Sequence, residues 1–315
     1  MQHIVFLDSG SLNADLRNPK FAHVWNNFPN TTPDQVGPRL RAATIAITNK
    51  VPIRSDALAQ APSLKLIAVA ATGIDIVDLA ACRARGIVVQ NIRNYANASL
   101  PEHVFALILA LRRNLFAYRA DVENGRWRRS EHFCFLDHPI GDLAGSTLGV
   151  VGFGALGRAV AALGAAFGMR VLAYDVQPVR ASGVQAASLE EILETSDVVS
   201  LHVPLGSGTA NLIGAAELAR MKPNCLLINT ARGGLVDERA LADALRAGRI
   251  GGAGFDVLSV EPPRSGNVLL ELRLPNFVLT PHVAWASAQA MQDLADQLVN
   301  NLESFVAGAP QNVVR

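Results

Sequence analysis

Apolar residues fall into short runs separated by longer stretches in which apolar positions recur at helical spacing. The runs Ile4–Leu7, Thr44–Thr48, Leu66–Ala70 and Ile87–Val89 predict one set of strands. Thr147–Val151, Val171–Tyr174, Val198–His202, Leu226–Asn229, Ala253–Val257 and Phe277–Leu279 predict a second set. Helical patterns lie between them. This βαβ rhythm predicts an α/β fold, with parallel sheets covered by helices on both faces.

Some helix ends are written locally. Ser188 and Glu191 form a capping box before Ile192–Leu193. Gly248 closes a helix running from about Glu238, with Arg246 near its negative end. A long helix is expected from about Pro101 to Tyr118, between the two strand sets. Domains are therefore expected at 1–98 and 99–282, with the last helix, about Ser287 to Ala307, able to return to the first. The stretch Gly125–Asp142 lacks clear periodicity yet holds Trp127, Phe133, Phe135 and Pro139. So many aromatics in a loop point to packing on a partner subunit.

Composition narrows the class. A chain of 315 residues suits two domains at roughly 150 residues each. Half the residues are apolar, which excludes a disordered chain. Lys and Arg number 28 against 27 Asp and Glu, a balance that gives no support to a nucleic-acid or anionic-membrane surface. Arg126, Arg128 and Arg129 around Trp127 are too small a cluster to change that. Cys82, Cys134 and Cys225 are odd in number and widely spaced. They fit neither a disulfide framework nor a zinc site, so no metal is expected and a reducing cytoplasm is. Met1–Leu7 reads as a strand cut off by Asp8, not as a leader. Val104–Leu111 ends at Arg112–Arg113, too short to span a membrane.

The chemistry begins after Thr147–Val151, where Gly152-Phe153-Gly154-Ala155-Leu156-Gly157 leads into a helical pattern, Arg158–Phe167. In such a turn the first Gly permits the bend, the second lets the backbone approach a pyrophosphate, and the third lets helix and strand touch. The helix N-terminus then offers N–H groups to phosphate. Asp175 ends the next strand, where a carboxylate holds the adenosine ribose hydroxyls. Its charge repels a 2′-phosphate, so the expected cofactor is NAD.

Three further polar residues follow predicted strands: Arg232, Glu261 and His282. In an open parallel sheet, ligands bind beyond the carboxyl ends of the strands. Together the three suit reduction of a 2-oxo acid. Arg232 clamps the carboxylate and polarises the carbonyl. His282 gives the oxygen its proton. Glu261 favours the protonated imidazole and orients it.

At this point the chain resembles the D-isomer-specific 2-hydroxyacid dehydrogenases, most of all their glycerate dehydrogenase (hydroxypyruvate reductase) subgroup. The resemblance rests on Ala71-Thr72-Gly73-Ile74-Asp75, Pro101-Glu102-His103, the glycine turn, Asn229-Thr230-Ala231-Arg232-Gly233-Gly234, Gly254-Phe255-Asp256-Val257, Glu261-Pro262 and Thr280-Pro281-His282. It implies two doubly wound parallel-sheet domains. A Rossmann nucleotide domain (99–282) is inserted in a flavodoxin-like substrate domain (1–98 plus 283–315), with a cleft between. It implies a homodimer and a small 2-oxo or 2-hydroxy acid such as hydroxypyruvate or glyoxylate. The family's arginine, glutamate and histidine fall on Arg232, Glu261 and His282. Its substrate carboxylate site falls on Ala71, Thr72 and Gly73. Its cofactor positions fall on Gly152, Gly154, Ala155, Leu156, Gly157, Asp175, Pro204, Thr209, Thr230, Ala231, Arg232, Asp256, His282 and Ala284, with Asp256 toward the nicotinamide amide. Trp285 departs from the commoner pattern after the histidine. It reads equally as a pocket wall and as an anchor for the following helix. The alternatives are a phosphite- or formate-type dehydrogenase on the same scaffold, or an NAD-sensing corepressor-like protein. Formate dehydrogenases carry Gln where Glu261 stands.

Overall fold

The computed structural model describes residues 1–314. It divides into two compact units, Met1–Tyr95 with the stretch from Ala286 onward, and Ala96–Trp285.

The first unit holds β1 (Gln2–Phe6), β2 (His23–Asn27), β3 (Ile45–Thr48), β4 (Leu66–Val69) and β5 (Val88–Gln90). They pair in parallel in the order β2-β1-β3-β4-β5. Every residue of β3 and β4 is buried, as expected of central strands with both faces covered. Asp8, just after β1, is buried too. Its carboxylate accepts the backbone N–H groups of Asn49 (2.9 Å), Lys50 (2.6 Å) and Val51 (3.3 Å). Burial pushes its pKa up, and those three bonds oppose that shift. The C-terminal helix Ala288–Val306 belongs to this unit. Arg17 holds it through a two-pronged ion pair with Glu303, at 2.6 and 2.8 Å. Beyond it, Val314 donates to Val89 and so extends the pairing at β5.

The second unit holds β6 (Thr147–Val151), β7 (Arg170–Tyr174), β8 (Val184–Ala186), β9 (Val198–Leu201), β10 (Leu226–Asn229), β11 (Gly252–Phe255) and β12 (Phe277–Leu279). All pair in parallel in the order β12-β11-β10-β9-β6-β7-β8. The chain steps one way from β6 to β7 and β8, then returns to the other side of β6 with β9. That reversal makes the carboxyl ends of β6 and β9 the switch point where such sheets bind ligands.

Three elements differ from expectation. The edge strands β2 and β8 carry no strand signal in the sequence. Their residues, HVWNN and VQA, are only half-buried or exposed, so they never needed an apolar run. The long helix expected over Pro101–Tyr118 is two helices, Ser99–Arg112 and Leu115–Glu123. They are separated by Asn114, which adopts a left-handed φ of 49°. Asn tolerates that conformation better than most residues, and its side chain bonds to the Pro139 carbonyl at 2.5 Å.

Candidate active site

The glycine turn follows β6 and opens the helix Ala155–Ala166. Gly152 has φ 97°, and a Cβ there would lie 2.6 Å from the His202 backbone. A Cβ on Gly157 would lie 2.0 Å from the Gly152 carbonyl oxygen. Gly154 faces open space, with nothing within 4 Å of where a Cβ would stand. Close packing thus demands the first and third glycines, while the second presents bare backbone outward at a helix N-terminus. That is the surface a pyrophosphate needs. Thr230, after β10, adds a buried hydroxyl without a hydrogen-bond partner among the described residues. An orphaned polar atom past the carboxyl end of a strand in the same sheet is one that a bound dinucleotide would satisfy. Thr209 ties the turn after β9 together. Its hydroxyl donates to the Pro204 carbonyl at 2.7 Å and accepts from the N–H of Gly206 at 2.8 Å.

Asp175 stands beyond β7. Its carboxylate accepts the N–H of Gln177 at 2.9 Å and of Phe153 at 2.6 Å. These bonds hold its pKa below the ordinary carboxylate value, so it is charged at neutral pH and bound to the glycine turn itself.

Arg232 follows β10 and is shaped by Asn229. The Asn229 amide donates to the Arg232 carbonyl at 2.8 Å and accepts the N–H of Ala231 at 3.1 Å. The next residue, Gly233, presses on the Leu258–Ser259 backbone, where a Cβ would fall 1.9 Å from the Leu258 carbonyl carbon. This contact seats the arginine turn against the loop that carries Glu261. One Glu261 oxygen accepts the Leu258 N–H at 2.8 Å, and the other meets His282 Nδ1 at 2.6 Å. The sequence did not mark Glu238 as a site support. Its carboxylate accepts from the N–H and hydroxyl of Ser259 and from the Asn267 amide, each at 2.7 Å. As the first residue of the helix Glu238–Arg246 it passes for a dipole complement, and no local signal shows the brace.

His282 has a left-handed φ of 57°, uncommon for a residue with a side chain. Asp256 holds it there. The His282 N–H donates to the Asp256 carbonyl at 2.8 Å. The N–H groups of Val283 and Ala284 donate to the two Asp256 carboxylate oxygens, at 2.9 and 2.8 Å. The Thr280 hydroxyl donates to the same carboxylate at 2.5 Å. The Asp256 side chain is fully buried. The Trp285 indole N–H donates to the His282 carbonyl at 3.0 Å, so its ring is tied into the histidine turn itself. Glu261 engages His282 through Nδ1, which leaves Nε2 as the ring's other nitrogen. His202 is unlike it: its ring bonds to the Ser200 hydroxyl at 2.8 Å. Burial pushes its pKa down to about 4, so it stays neutral.

Ala71, Thr72 and Gly73 lie in the first unit, just past β4. The Thr72 hydroxyl donates to the Ile92 carbonyl and the Asn91 amide to the Thr72 carbonyl, both at 2.8 Å.

A phosphate-binding turn at a sheet switch point, with a histidine–glutamate pair at nearby strand ends, defines a nicotinamide-dependent dehydrogenase. Comparison with known proteins gives the family. Residues 105–284 match the model of the D-isomer specific 2-hydroxyacid dehydrogenase, NAD binding domain. The chain is 56% identical over 312 residues to a glycerate dehydrogenase of Methylorubrum extorquens, covering 99% of this chain and 98% of that protein. It is 35% identical over 294 residues to a hydroxypyruvate reductase of Blautia hydrogenotrophica, covering 92% and 91%. The solved D-lactate dehydrogenase of Aquifex aeolicus, complexed with NAD and lactic acid, superposes with a TM-score of 0.83 at 30% identity, covering 97% and 96%. The chain belongs to the D-isomer-specific 2-hydroxyacid dehydrogenase family. It is an NAD-dependent oxidoreductase of the CH–OH group of a 2-hydroxy acid.

Proposed function

We propose that this enzyme reduces a small 2-oxo acid, hydroxypyruvate or glyoxylate, to the D-2-hydroxy acid and runs the reverse oxidation. The observation that carries the proposal is the 2.6 Å contact between His282 Nδ1 and Glu261, on loops seated beside Arg232. NADH supplies the hydride when bound. The glycine turn (Gly152, Gly154, Ala155, Leu156, Gly157) would hold its pyrophosphate and Asp175 its ribose. Pro204, Thr209, Thr230, Ala231 and Ala284 would lie near the cofactor, with Asp256 toward its nicotinamide amide. Arg232 takes the substrate carboxylate and polarises the carbonyl. His282 passes the Nε2 proton to the carbonyl oxygen as it gains charge, and takes it back in the oxidising direction. Glu261 keeps the imidazole oriented through its contact with Nδ1. Formate oxidation yields no hydroxyl proton, so it would leave this pair without a task. The size of the relatives' substrates supports a small acid.

The same reading makes the protein a cytoplasmic homodimer. Support comes from the loop between Gly125 and Asp142, where Phe133 and Leu136 are 89% and 80% exposed beside Trp127 and Ile140. Single exposed apolar residues are ordinary, but a cluster of this kind marks an interface. No helix among the described residues is long and apolar enough to cross a membrane.

The deciding experiment follows NADH loss with hydroxypyruvate, glyoxylate, pyruvate and a bulky 2-oxo acid, repeated with NADPH. Rapid turnover with either of the first two is expected. Turnover with the bulky acid alone would overturn the small-acid assignment. No turnover despite tight NADH binding would move the reading to phosphite oxidation or nucleotide sensing. Light scattering of the eluted protein should give twice the chain mass, and a monomer would remove the dimer.

A further inference from the structure

His103 takes no part in the chemistry above, although the motif Pro101-Glu102-His103 stands out in the sequence. It sits one turn into the helix Ser99–Arg112 and is half-buried. Its place follows from how that helix meets β11. Gly254 of β11 lies against Leu107, where a Cβ on the glycine would fall 3.0 Å from Leu107 Cβ. Four residues back along the helix is His103, on the same helix face. Two residues on along the chain is Asp256, in the direction of the same sheet face. Four helical residues rise about 6 Å and two strand residues about 6.6 Å. The register that sets Leu107 on Gly254 therefore sets His103 on Asp256. His103 Nε2 lies 3.0 Å from the Thr280 hydroxyl and 3.7 Å from the Asp256 carboxylate.

The protons in this cluster are determined by counting. Thr280 has one hydroxyl proton. It goes to the Asp256 carboxylate at 2.5 Å, since the competing Phe255 carbonyl is at 3.4 Å. The hydroxyl oxygen can then only accept from His103, so His103 carries its proton on Nε2. A chain of donors runs from His103 to Thr280 to Asp256. Asp256 in turn receives the N–H groups of Val283 and Ala284. These are the two residues after His282, whose left-handed backbone they fix. The carboxylate can hold both N–H groups, one on each oxygen, only while it stays correctly rotated.

We propose that His103 is a positioning residue for the proton donor. Its Nε2–H fixes Thr280, Thr280 fixes the Asp256 carboxylate, and Asp256 locks the backbone that aims His282. This rests on His282 being the proton donor of the proposed reaction.

The test compares His103→Leu, His103→Gln, Thr280→Val and the double variant His103→Leu/Thr280→Val. The Gln amide nitrogen reaches the place of imidazole Nε2 and restores the donor. His103→Leu should lower kcat about tenfold to hundredfold, the scale of a misplaced catalytic group, with the KM for the 2-oxo acid within twofold. His103→Gln should recover most of kcat, Thr280→Val should match His103→Leu, and the double variant should lose no more than either single one. Wild-type kcat in His103→Leu overturns the proposal. So does a folded His103→Gln that is no better than His103→Leu. Should His103→Leu not fold, Thr280→Val decides, and wild-type kcat there overturns the proposal. The His282 ring signal in the NMR spectrum of the free protein, identified by its loss in His282→Asn, gives a readout without turnover. It should move in Thr280→Val and stay in place in His103→Gln. A wild-type enzyme that reduces no 2-oxo acid would refute the function while this signal still tests the positioning. An unmoved signal in Thr280→Val overturns it.

Discussion

Two histidine–carboxylate pairs in this chain are almost the same in isolation. His282 meets Glu261 at 2.6 Å, with side chains 22% and 33% exposed. His138 meets Asp121 at 2.7 Å, with side chains 29% and 33% exposed. Their settings separate them. His138 uses Nε2 for the carboxylate, and its ring stands edge-on to Tyr118 at 5.0 Å. The Tyr118 hydroxyl donates to the His138 carbonyl, so this pair braces the aromatic loop. His282 uses Nδ1 and keeps Nε2 for another partner. Its backbone is strained and tied down by Asp256 and Trp285, and its carboxylate loop packs against the turn of Arg232. A close imidazole–carboxylate contact is thus no site by itself. It becomes one when neighbouring strand ends supply something to hold the substrate.

The contrast is most directly broken by alanine at each histidine. His282→Ala should lower kcat at least about a hundredfold, since acid–base catalysis contributes about 10²–10⁴, while NADH binding by fluorescence titration stays near wild type. Near-normal turnover would remove the proton-donor role. Arg232→Ala tests the turn that packs on the Glu261 loop. It should cost roughly tenfold to hundredfold in kcat/KM for the 2-oxo acid, the value of a charge-assisted hydrogen bond. Unchanged kinetics would take Arg232 out of the site.

His202 sharpens the comparison as an imidazole bonded to a hydroxyl, that of Ser200. It stays neutral down to about pH 4 in the fold but takes a proton near 6.5 once unfolded. The unfolded chain therefore binds the extra proton between those values, and stability falls as pH drops through that window. Replacing His202 by Gln should flatten the fall by roughly 2 kcal/mol between pH 7 and 4.5. Parallel urea curves for the two proteins at both pH values would contradict this. Asp175→Ala should reduce the preference for NADH over NADPH by about tenfold, or ~1.4 kcal/mol. A constant ratio of the two kcat/KM values would refute the ribose role. The smallest effect is expected at the other pair. His138→Ala should leave kcat within about twofold, because a part-exposed ion pair contributes only about 0–1 kcal/mol. A loss comparable with that of His282→Ala would erase the distinction between the pairs.

The glycine turn was legible because its chemistry is local. Strand, three glycines, helix and acidic residue stand in order within one stretch, although the first glycine is also demanded by the distant His202 backbone. Glu261 and His282 were legible only as polar residues after strands, and their meeting needed the sheet order to bring β11 and β12 side by side. Glu238 and Thr280 were not legible as supports, because each acts on a loop more than twenty residues away through a contact with no periodic signature. Asn114 gave no warning either: a helix pattern runs through it, and the break is made by the loop it bonds to near Pro139.

The chain by itself determined the α/β class, the central strands and the phosphate turn. Those depend on apolar runs buried on both faces and on glycines where no side chain fits, and both are properties of short segments. Tertiary structure decided the edge strands β2 and β8, the inward burial of Asp256, and the left-handed turn that presents His282. Each of these is stabilised by groups distant in sequence. A strand with one neighbour needs no apolar pattern, and a strained backbone persists only where surrounding hydrogen bonds over-determine it.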